Sequence, residues 1–184
     1  MYSFFQCHIG SVLLIGDSLV RWASGQLTAD IRVIWQGKSG AHLDDIFPLL
    51  AARQGPDPSV LLIHVGTNDL ISMDEFCMRQ RILLLLNSCT VRFPDTVLIW
   101  SAMLPRVFYF GARSQSSLER KRKALNRWAR KQCSKLGAHY LPHPQFVWTE
   151  TALYRYDGVH LSPRGNAIFR DNLSQGIQSV LGNH

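Results

Sequence analysis

The sequence has few cysteines, and none of them is arranged to bind a metal or to form an obvious pair. No two of the four form a CxxC motif or have the spacing of metal ligands: Cys7, Cys77, Cys89 and Cys133. We therefore expect reduced, buried thiols in a cytoplasmic protein, with no metal and no other cofactor.

Long hydrophobic runs are also missing. The longest, Ile82 to Leu86, covers about one and a half helical turns, whereas a membrane-spanning helix needs about 20 apolar residues. The first ten residues, MYSFFQCHIG, lack the basic leader and small-residue cleavage site of a signal peptide. Repeats, low-complexity tracts and internal linkers are absent, so we expect one domain over residues 1–184. Its start, a few residues before the first strand, suits a domain cut from a longer protein.

Acidic residues are scarce in one segment. Between positions 106 and 135 the only acid is Glu119, which makes this segment +9 although the whole chain is +7. Its ten basic residues are Arg106, Arg113, Arg120, Lys121, Arg122, Lys123, Arg127, Arg130, Lys131 and Lys135. This asymmetry indicates an anionic partner, either nucleic acid or a membrane surface; the alternative is a solvated helix face that aids solubility.

Short apolar runs alternate with helical patterns along the chain. Strands are predicted at Val12–Ile15, Ile31–Trp35, Ser59–Val65, Thr96–Ser101 and Ala138–Leu141. Helices are predicted at about Leu19–Leu27, His42–Gln54, Met73–Arg92 and Ser117–Leu136, with a last one starting at Ser162-Pro163. This alternation predicts a three-layer α/β/α domain with a parallel five-stranded sheet in the order 2-1-3-4-5.

The stretch VLLIGDSLV, Val12 to Val20, places a serine at a strand–turn–helix junction. Open α/β sheets bind ligands at the carboxyl ends of their strands, and a helix amino terminus favours negative charge. Ser18 is therefore a candidate nucleophile beside part of its own oxyanion hole. The alternative is that Ser18 only caps the helix, a position in which serine is preferred.

Other candidate residues follow strands or lie in a late loop. A nucleophilic Ser18 needs a base, and His160 suits this role because histidine gains and loses protons near neutral pH. Asp157 precedes it by three residues and can orient the ring, as in a catalytic triad. Donors for a tetrahedral intermediate are the backbone N–H groups of Ser18 and Gly40 and the side-chain amide of Asn68.

Each of these residues also has a purely structural interpretation. Asn68-Asp69 and Asp157-Gly158 are common turn pairs, and Gly40 can be a loop hinge. His64 lies within a strand pattern, which is typical of a core histidine. The remaining histidines considered have no acid at triad spacing: His42, His139 and His143.

Taken together, the motifs resemble the SGNH, or GDSL, hydrolases. The blocks are GDSL at Gly16–Leu19, the loop glycine Gly40, GTND at Gly66–Asp69 and DGVH at Asp157–His160, in the family's order and over essentially the whole chain. The size and short loops look most like the platelet-activating-factor acetylhydrolase branch, and also like the esterase domain of some LINE retrotransposon first open reading frames. One departure is Ala41, where members often have an acid.

The resemblance implies a flavodoxin-like esterase that hydrolyses carboxylic esters through an acyl-enzyme. Ser18 would be the nucleophile, His160 the base and then acid, and Asp157 its partner. Ser18, Gly40 and Asn68 would form the oxyanion hole. Short-chain, acetyl or lipid esters are the expected substrates. A carbohydrate O-acetylesterase, or a basic membrane- or nucleic-acid-binding module on this fold, remains an alternative.

An aromatic loop, Val107–Phe110, follows the fourth strand and lies between Arg106 and Arg113. We expect its aromatic side chains, Phe108, Tyr109 and Phe110, to bind the acyl group or enter a lipid interface, while the arginines meet phosphate groups. The alternative is that the loop folds inward as a satellite of the core.

Overall fold

A five-stranded parallel sheet forms the centre of the molecule. The computed structural model describes residues 10–25, 27 and 32–182. Its strands are β1 (Val12–Gly16), β2 (Val33–Gly37), β3 (Val60–His64), β4 (Val97–Ser101) and β5 (His139–Leu141). They pair in the order β2-β1-β3-β4-β5, which confirms the predicted topology. Strands β1 and β3 are completely buried, as their apolar runs require.

Helices cover both faces of this sheet. They are α1 (Ser18–Ala23), α2 (Ile46–Ala51), α3 (Asp69–Ser72), α4 (Glu75–Arg92), α5 (Gln115–Leu136) and α6 (Pro163–Leu181). One hydrophobic core lies beneath α2, α3, α4 and α5, and a second lies beneath α1 and α6. Among the described helices, none is long and apolar enough to cross a membrane.

The strand register brings three loops to one edge of the sheet. Gly16, the last residue of β1, pairs with Gly37 at the end of β2 and with His64 at the end of β3. The residues that follow each strand therefore start at the same level, at the carboxyl edge where parallel sheets bind ligands.

Two helices are shorter than the sequence pattern predicted. Helix α1 ends at Ala23 rather than Leu27 because Ser24 takes an extended conformation (ψ 135°). The pattern at His42–Gln54 gives a 3₁₀ turn at Leu43–Asp45 followed by α2. Pro48 lies in the first turn of α2, where no intrahelical N–H bond is lost.

The GTND segment, predicted only to end a strand, also begins the short helix α3 at Asp69. Ile31, the predicted first residue of β2, lies outside the described residues, as does the amino-terminal stretch expected not to be a signal peptide.

The thiols agree only partly with the prediction. Cys89 and Cys133 are free and buried, and burial raises the pKa of both to about 12. Cys77 is free but exposed, because it lies on the outer face of α4. Cys7 lies outside the described residues.

Candidate active site

Ser18 is the first residue of α1, and its side chain is not the helix cap. The cap is Asp17, whose Oδ1 accepts from the backbone N–H of Leu19 at 2.9 Å. The residue before Asp17 has to be glycine, since a Cβ on Gly16 would lie 2.0 Å from the backbone oxygen of His64. The Ser18 hydroxyl is thus left for the cleft above the sheet edge.

His160 and Asp157 form a hydrogen-bonded pair. His160 Nδ1 lies 2.8 Å from Asp157 Oδ2, and Oδ1 accepts from the backbone N–H groups of Val159 and His160, each at 2.9 Å. Partial burial raises the pKa of Asp157, but the bonds from His160 and Val159 outweigh it and bring the pKa to about 2. Asp157 is therefore a carboxylate at neutral pH, which fixes the proton of neutral His160 on Nδ1 and leaves Nε2 as an acceptor.

Ser18 and His160 line the same cleft, whose volume is about 540 Å³. Among the residues that the structure describes, no hydrogen bond joins Ser18 Oγ to His160. Catalytic hydrogen bonds are often long in unliganded enzymes and tighten when substrate binds. The two groups are therefore neighbours across an open cleft rather than a closed triad.

The predicted oxyanion donors Gly40 and Asn68 line this cleft as well. Asn68 Nδ2 donates one hydrogen bond to the carbonyl oxygen of Ala41, at 2.8 Å, which leaves its second N–H free. Gly40 has φ +69°, a conformation that favours glycine, and a Cβ there would meet nothing within 4 Å. The need for glycine at position 40 is therefore conformational.

A buried carboxylate fastens the Gly40 loop to the Asn68 turn. Asp69 accepts from the backbone N–H of Leu43 at 3.2 Å and contacts His42 Nδ1 at 3.1 Å. Burial raises the pKa of Asp69, against the lowering effect of His42. Ala41 is buried, and the acid that fixes this loop is Asp69.

Arg106 has a contact that the sequence did not reveal. Its Nη2 donates to Asn68 Oδ1 at 2.6 Å, so the guanidinium holds the oxygen end of that amide. Burial lowers the pKa of Arg106, while the nearby carboxylates of Asp17 and Asp157 raise it. One N–H group of Arg106 is thus committed inside the cleft, and contact of its other N–H groups with phosphate stays a prediction.

The aromatic loop divides between the cleft and the core. Phe110 lines the cleft, and Phe108 is exposed beside it. Tyr109 is only 2% exposed and belongs to the core beneath α4 and α5, so it does not contact the cleft as predicted. Its backbone is held there by Gln115, whose side chain bonds to both the N–H and the C=O of Tyr109.

Four further residues of the cleft wall were not predicted as site residues: Trp22, Ser39, Arg155 and Val159. Trp22 lies four residues after Ser18 on α1, hence on the same helix face, and this spacing was a usable signal. Arg155 has no such signal, because only folding of the late loop brings it to Trp22.

A second cluster of serine and histidine lies inside the molecule. Ser101 Oγ is 2.8 Å from His64 Nδ1 and 2.7 Å from His143 Nε2, and all three side chains are buried. Asn172 Nδ2 approaches His143 Nδ1 at 3.1 Å and can only donate, so His143 is neutral and donates from Nε2 to Ser101. This cluster cannot meet a substrate, and His64 is a core histidine as expected.

Two of the cationic side chains in the basic segment are engaged in contacts within the protein. Arg122 is buried and bonded to Glu119, and Lys121 donates to the carbonyl oxygens of Leu70 and Met73. The exposed cations are Arg113, Arg120, Lys123, Arg127, Arg130, Lys131 and Lys135. Six of the seven lie on α5, and binding of an anionic partner to them stays a prediction.

Comparison with known proteins identifies the family to which the chain belongs. The profile of the GDSL-like lipase/acylhydrolase family matches residues 14–168, which include all four motif blocks. No curated protein is significantly similar to the chain.

Solved structures share the fold. A Streptococcus pneumonia structure named as a platelet activating factor is 19% identical, with TM-score 0.73, covering 97% of this chain and 86% of that one. Est24, a carbohydrate acetylesterase from Sinorhizobium meliloti, is 16% identical with TM-score 0.74, over 93% and 99% of the two chains. The esterase domain of the zebrafish ZfL2-1 retrotransposon ORF1 protein is 25% identical with TM-score 0.50, over 91% and 98%.

Proposed function

We propose that this chain, which belongs to the GDSL-like lipase/acylhydrolase family, is a serine esterase that cleaves carboxylic esters through an acyl-enzyme on Ser18. The observation that supports the proposal is one cleft lined by Ser18, His160, Gly40 and Asn68, with Asp157 bonded to His160.

In the first half-reaction Ser18 Oγ attacks the ester carbonyl carbon, and its proton passes to His160 Nε2. Asp157 stabilises the imidazolium that forms. The oxyanion accepts hydrogen bonds from the backbone N–H groups of Ser18 and Gly40 and from the free N–H of Asn68. The carbon–oxygen bond to the alcohol then breaks, and His160 returns the proton to the leaving alkoxide.

In the second half-reaction water attacks the acyl-enzyme while His160 Nε2 takes one of its protons. As this intermediate collapses, the bond between the acyl carbon and Ser18 Oγ breaks, His160 Nε2 returns its proton to Oγ, and the carboxylic acid is released. The cleft volume of about 540 Å³ lies in the range of small-molecule sites, which suits short-chain and acetyl esters.

The test is hydrolysis of p-nitrophenyl esters of graded chain length by the wild type, Ser18→Ala and Ser134→Ala. Ser134 is an exposed serine on α5, so its variant controls for loss of a hydroxyl elsewhere. We expect Ser18→Ala to lose about a thousandfold or more in kcat/KM and Ser134→Ala to match the wild type. An alkyl fluorophosphonate should modify Ser18, as located by peptide mass spectrometry. Equal hydrolysis by wild type and Ser18→Ala would refute the proposal.

A further inference from the structure

Exposed aromatic side chains are concentrated around the cleft. The described residues include five exposed phenylalanine, tryptophan or tyrosine side chains: Trp22 (52%), Phe76 (70%), Phe108 (51%), Phe110 (71%) and Tyr156 (100%). Trp22 and Phe110 line the cleft itself, and Tyr156 lies between Arg155 and Asp157 in the chain. Only Phe76, on α4, lies away from it. Such large exposed apolar groups gathered at one place indicate a binding surface.

The loops that carry these aromatic residues are joined to the catalytic loop. The backbone N–H of Val107 donates to the oxygen of Gly158 at 2.8 Å. Phe108 lies so close that a Cβ on Gly158 would be 2.5 Å from its Cδ2. Because Gly158 lies between Asp157 and His160 in the chain, the loop that carries Phe108 and Phe110 is in direct contact with the loop of the catalytic pair.

Two arginines lie beside the cleft and its aromatic side chains. The guanidinium of Arg155 lies 5.1 Å above the ring of Trp22, and Arg21 donates to Ser39 of the cleft wall at 3.1 Å. Both arginines are exposed. Asp157, the acid of the same loop, is already paired with His160. The carbonyl oxygen of Leu161 accepts one hydrogen bond from Arg155 Nε at 3.2 Å, but neither guanidinium has a carboxylate partner among the described residues. Aromatic rings and exposed guanidinium groups thus occur together, the combination that suits the head-group region of a phospholipid layer.

We propose that the aromatic rim, defined as Trp22, Phe108, Phe110 and Tyr156, docks the cleft onto a phospholipid bilayer, with Arg21 and Arg155 bound to lipid phosphates. The substrates are then ester-linked acyl chains of lipids at that surface. Lipid hydrolysis rests on the proposed esterase function, whereas docking does not.

Docking is measured by sedimentation of the full chain with vesicles of phosphatidylcholine, with and without phosphatidylserine. Phe110→Ser should lower the partition coefficient about tenfold, since one largely exposed ring is lost from the contact. Phe76→Ser is the matched control, because Phe76 is as exposed as Phe110 but lies on α4, and it should bind like the wild type. Tyr156→Ser, at a fully exposed position, provides a second rim variant that does not disturb the fold.

Trp22 supplies an independent measure of the contact. Vesicles with brominated acyl chains should quench its fluorescence, and the quenched fraction should fall in Trp22→Phe, whose binding is retained because an aromatic ring remains. Equal quenching in the two proteins would place the rim outside the bilayer and would overturn the proposal.

The remaining outcomes separate docking from catalysis and from other partners. Ser18→Ala should bind vesicles like the wild type while losing hydrolysis of p-nitrophenyl acetate, so a failed esterase function leaves docking testable. Docking is overturned if both rim variants bind vesicles like the wild type, or if Phe76→Ser loses as much binding as Phe110→Ser. It is also overturned if Arg127→Glu on α5 abolishes binding while the rim variants do not, or if only RNA, and no vesicle, binds the chain.

Discussion

The contact between Arg106 and Asn68 predicts that two substitutions in the cleft have effects that do not add. Arg106→Met removes the donor that holds Asn68 Oδ1 at 2.6 Å, while the bond from Asn68 Nδ2 to Ala41 remains. Hydrogen bonds to charged groups contribute about 1.5–3 kcal/mol. Because one of the two bonds survives, we expect the lower end of this range, which corresponds to a loss of about tenfold in kcat.

Asn68→Ala removes the oxyanion donor itself and should cost about 10²–10³ in kcat. If Arg106 acts through the amide, it has nothing left to position once the amide is gone. The double variant should therefore be no slower than Asn68→Ala alone. Arg106→Lys, which keeps a cationic donor, should recover part of the loss.

The assay is steady-state hydrolysis of p-nitrophenyl acetate, with kcat and KM measured separately for the two single variants and the double variant. Arg130→Met, an exposed arginine on α5, is the control for loss of a guanidinium. Melting curves identify any general unfolding, since Arg106 also lies near the carboxylates of Asp17 and Asp157. A further tenfold loss in the double variant relative to Asn68→Ala would show that Arg106 acts independently of the amide and would refute the reasoning.

Three predictions concern stability. Burial lowers the pKa of both His64 and His143, so below about pH 6.5 the unfolded chain takes up protons that the folded chain does not. From about pH 8 down to pH 6.5 the free energy of unfolding should be nearly constant, and below pH 6.5 it should fall by up to about 1.4 kcal/mol per pH unit for each histidine. Urea titrations that give a flat profile from pH 7 to 5 would contradict this. Tyr109→Phe removes a buried hydroxyl that has no hydrogen-bond partner in the described structure, so calorimetry should show an unchanged or higher Tm. A clear drop in Tm would show that the hydroxyl is paired. Gly158→Ala should cost about 1–2 kcal/mol, because φ is +65° and the new Cβ would overlap Phe108; an unchanged urea midpoint would indicate that the loop adjusts freely.

The parts of the fold that the sequence predicted are those fixed by local patterns. Apolar runs such as Val60–His64 identify buried strands without any tertiary information, and their alternation with helices leads to the sheet order. Helix ends were less predictable. The segment His42–Gln54, expected as one helix, is a 3₁₀ turn followed by a shorter helix. At its start the Asp45 carboxylate accepts from the backbone N–H of His42, a contact that the periodicity of apolar residues does not report.

In the candidate site, too, the local contact was predictable from the sequence and the tertiary placement of side chains was not. Asp157 and His160 are three residues apart, so their bond needs only a local turn, and the spacing alone was enough to suggest it. Tyr109 was assigned to the substrate with its neighbours because all three are aromatic, yet the chain direction at this loop turns only Tyr109 inward. The composition of a loop does not show which of its side chains are buried in the core.

The residues that escaped prediction are those whose role depends on two distant segments meeting. Arg106 and Asn68 are 38 positions apart, and neither has a motif that points to the other. Their contact nevertheless has a chemical consequence, because an amide held at its oxygen by a guanidinium and at its nitrogen by Ala41 keeps one N–H in a fixed direction. Preorganised donors stabilise an oxyanion without reorganising during the reaction. A motif can therefore name the donor, whereas the groups that fix its direction have to be found in the folded chain.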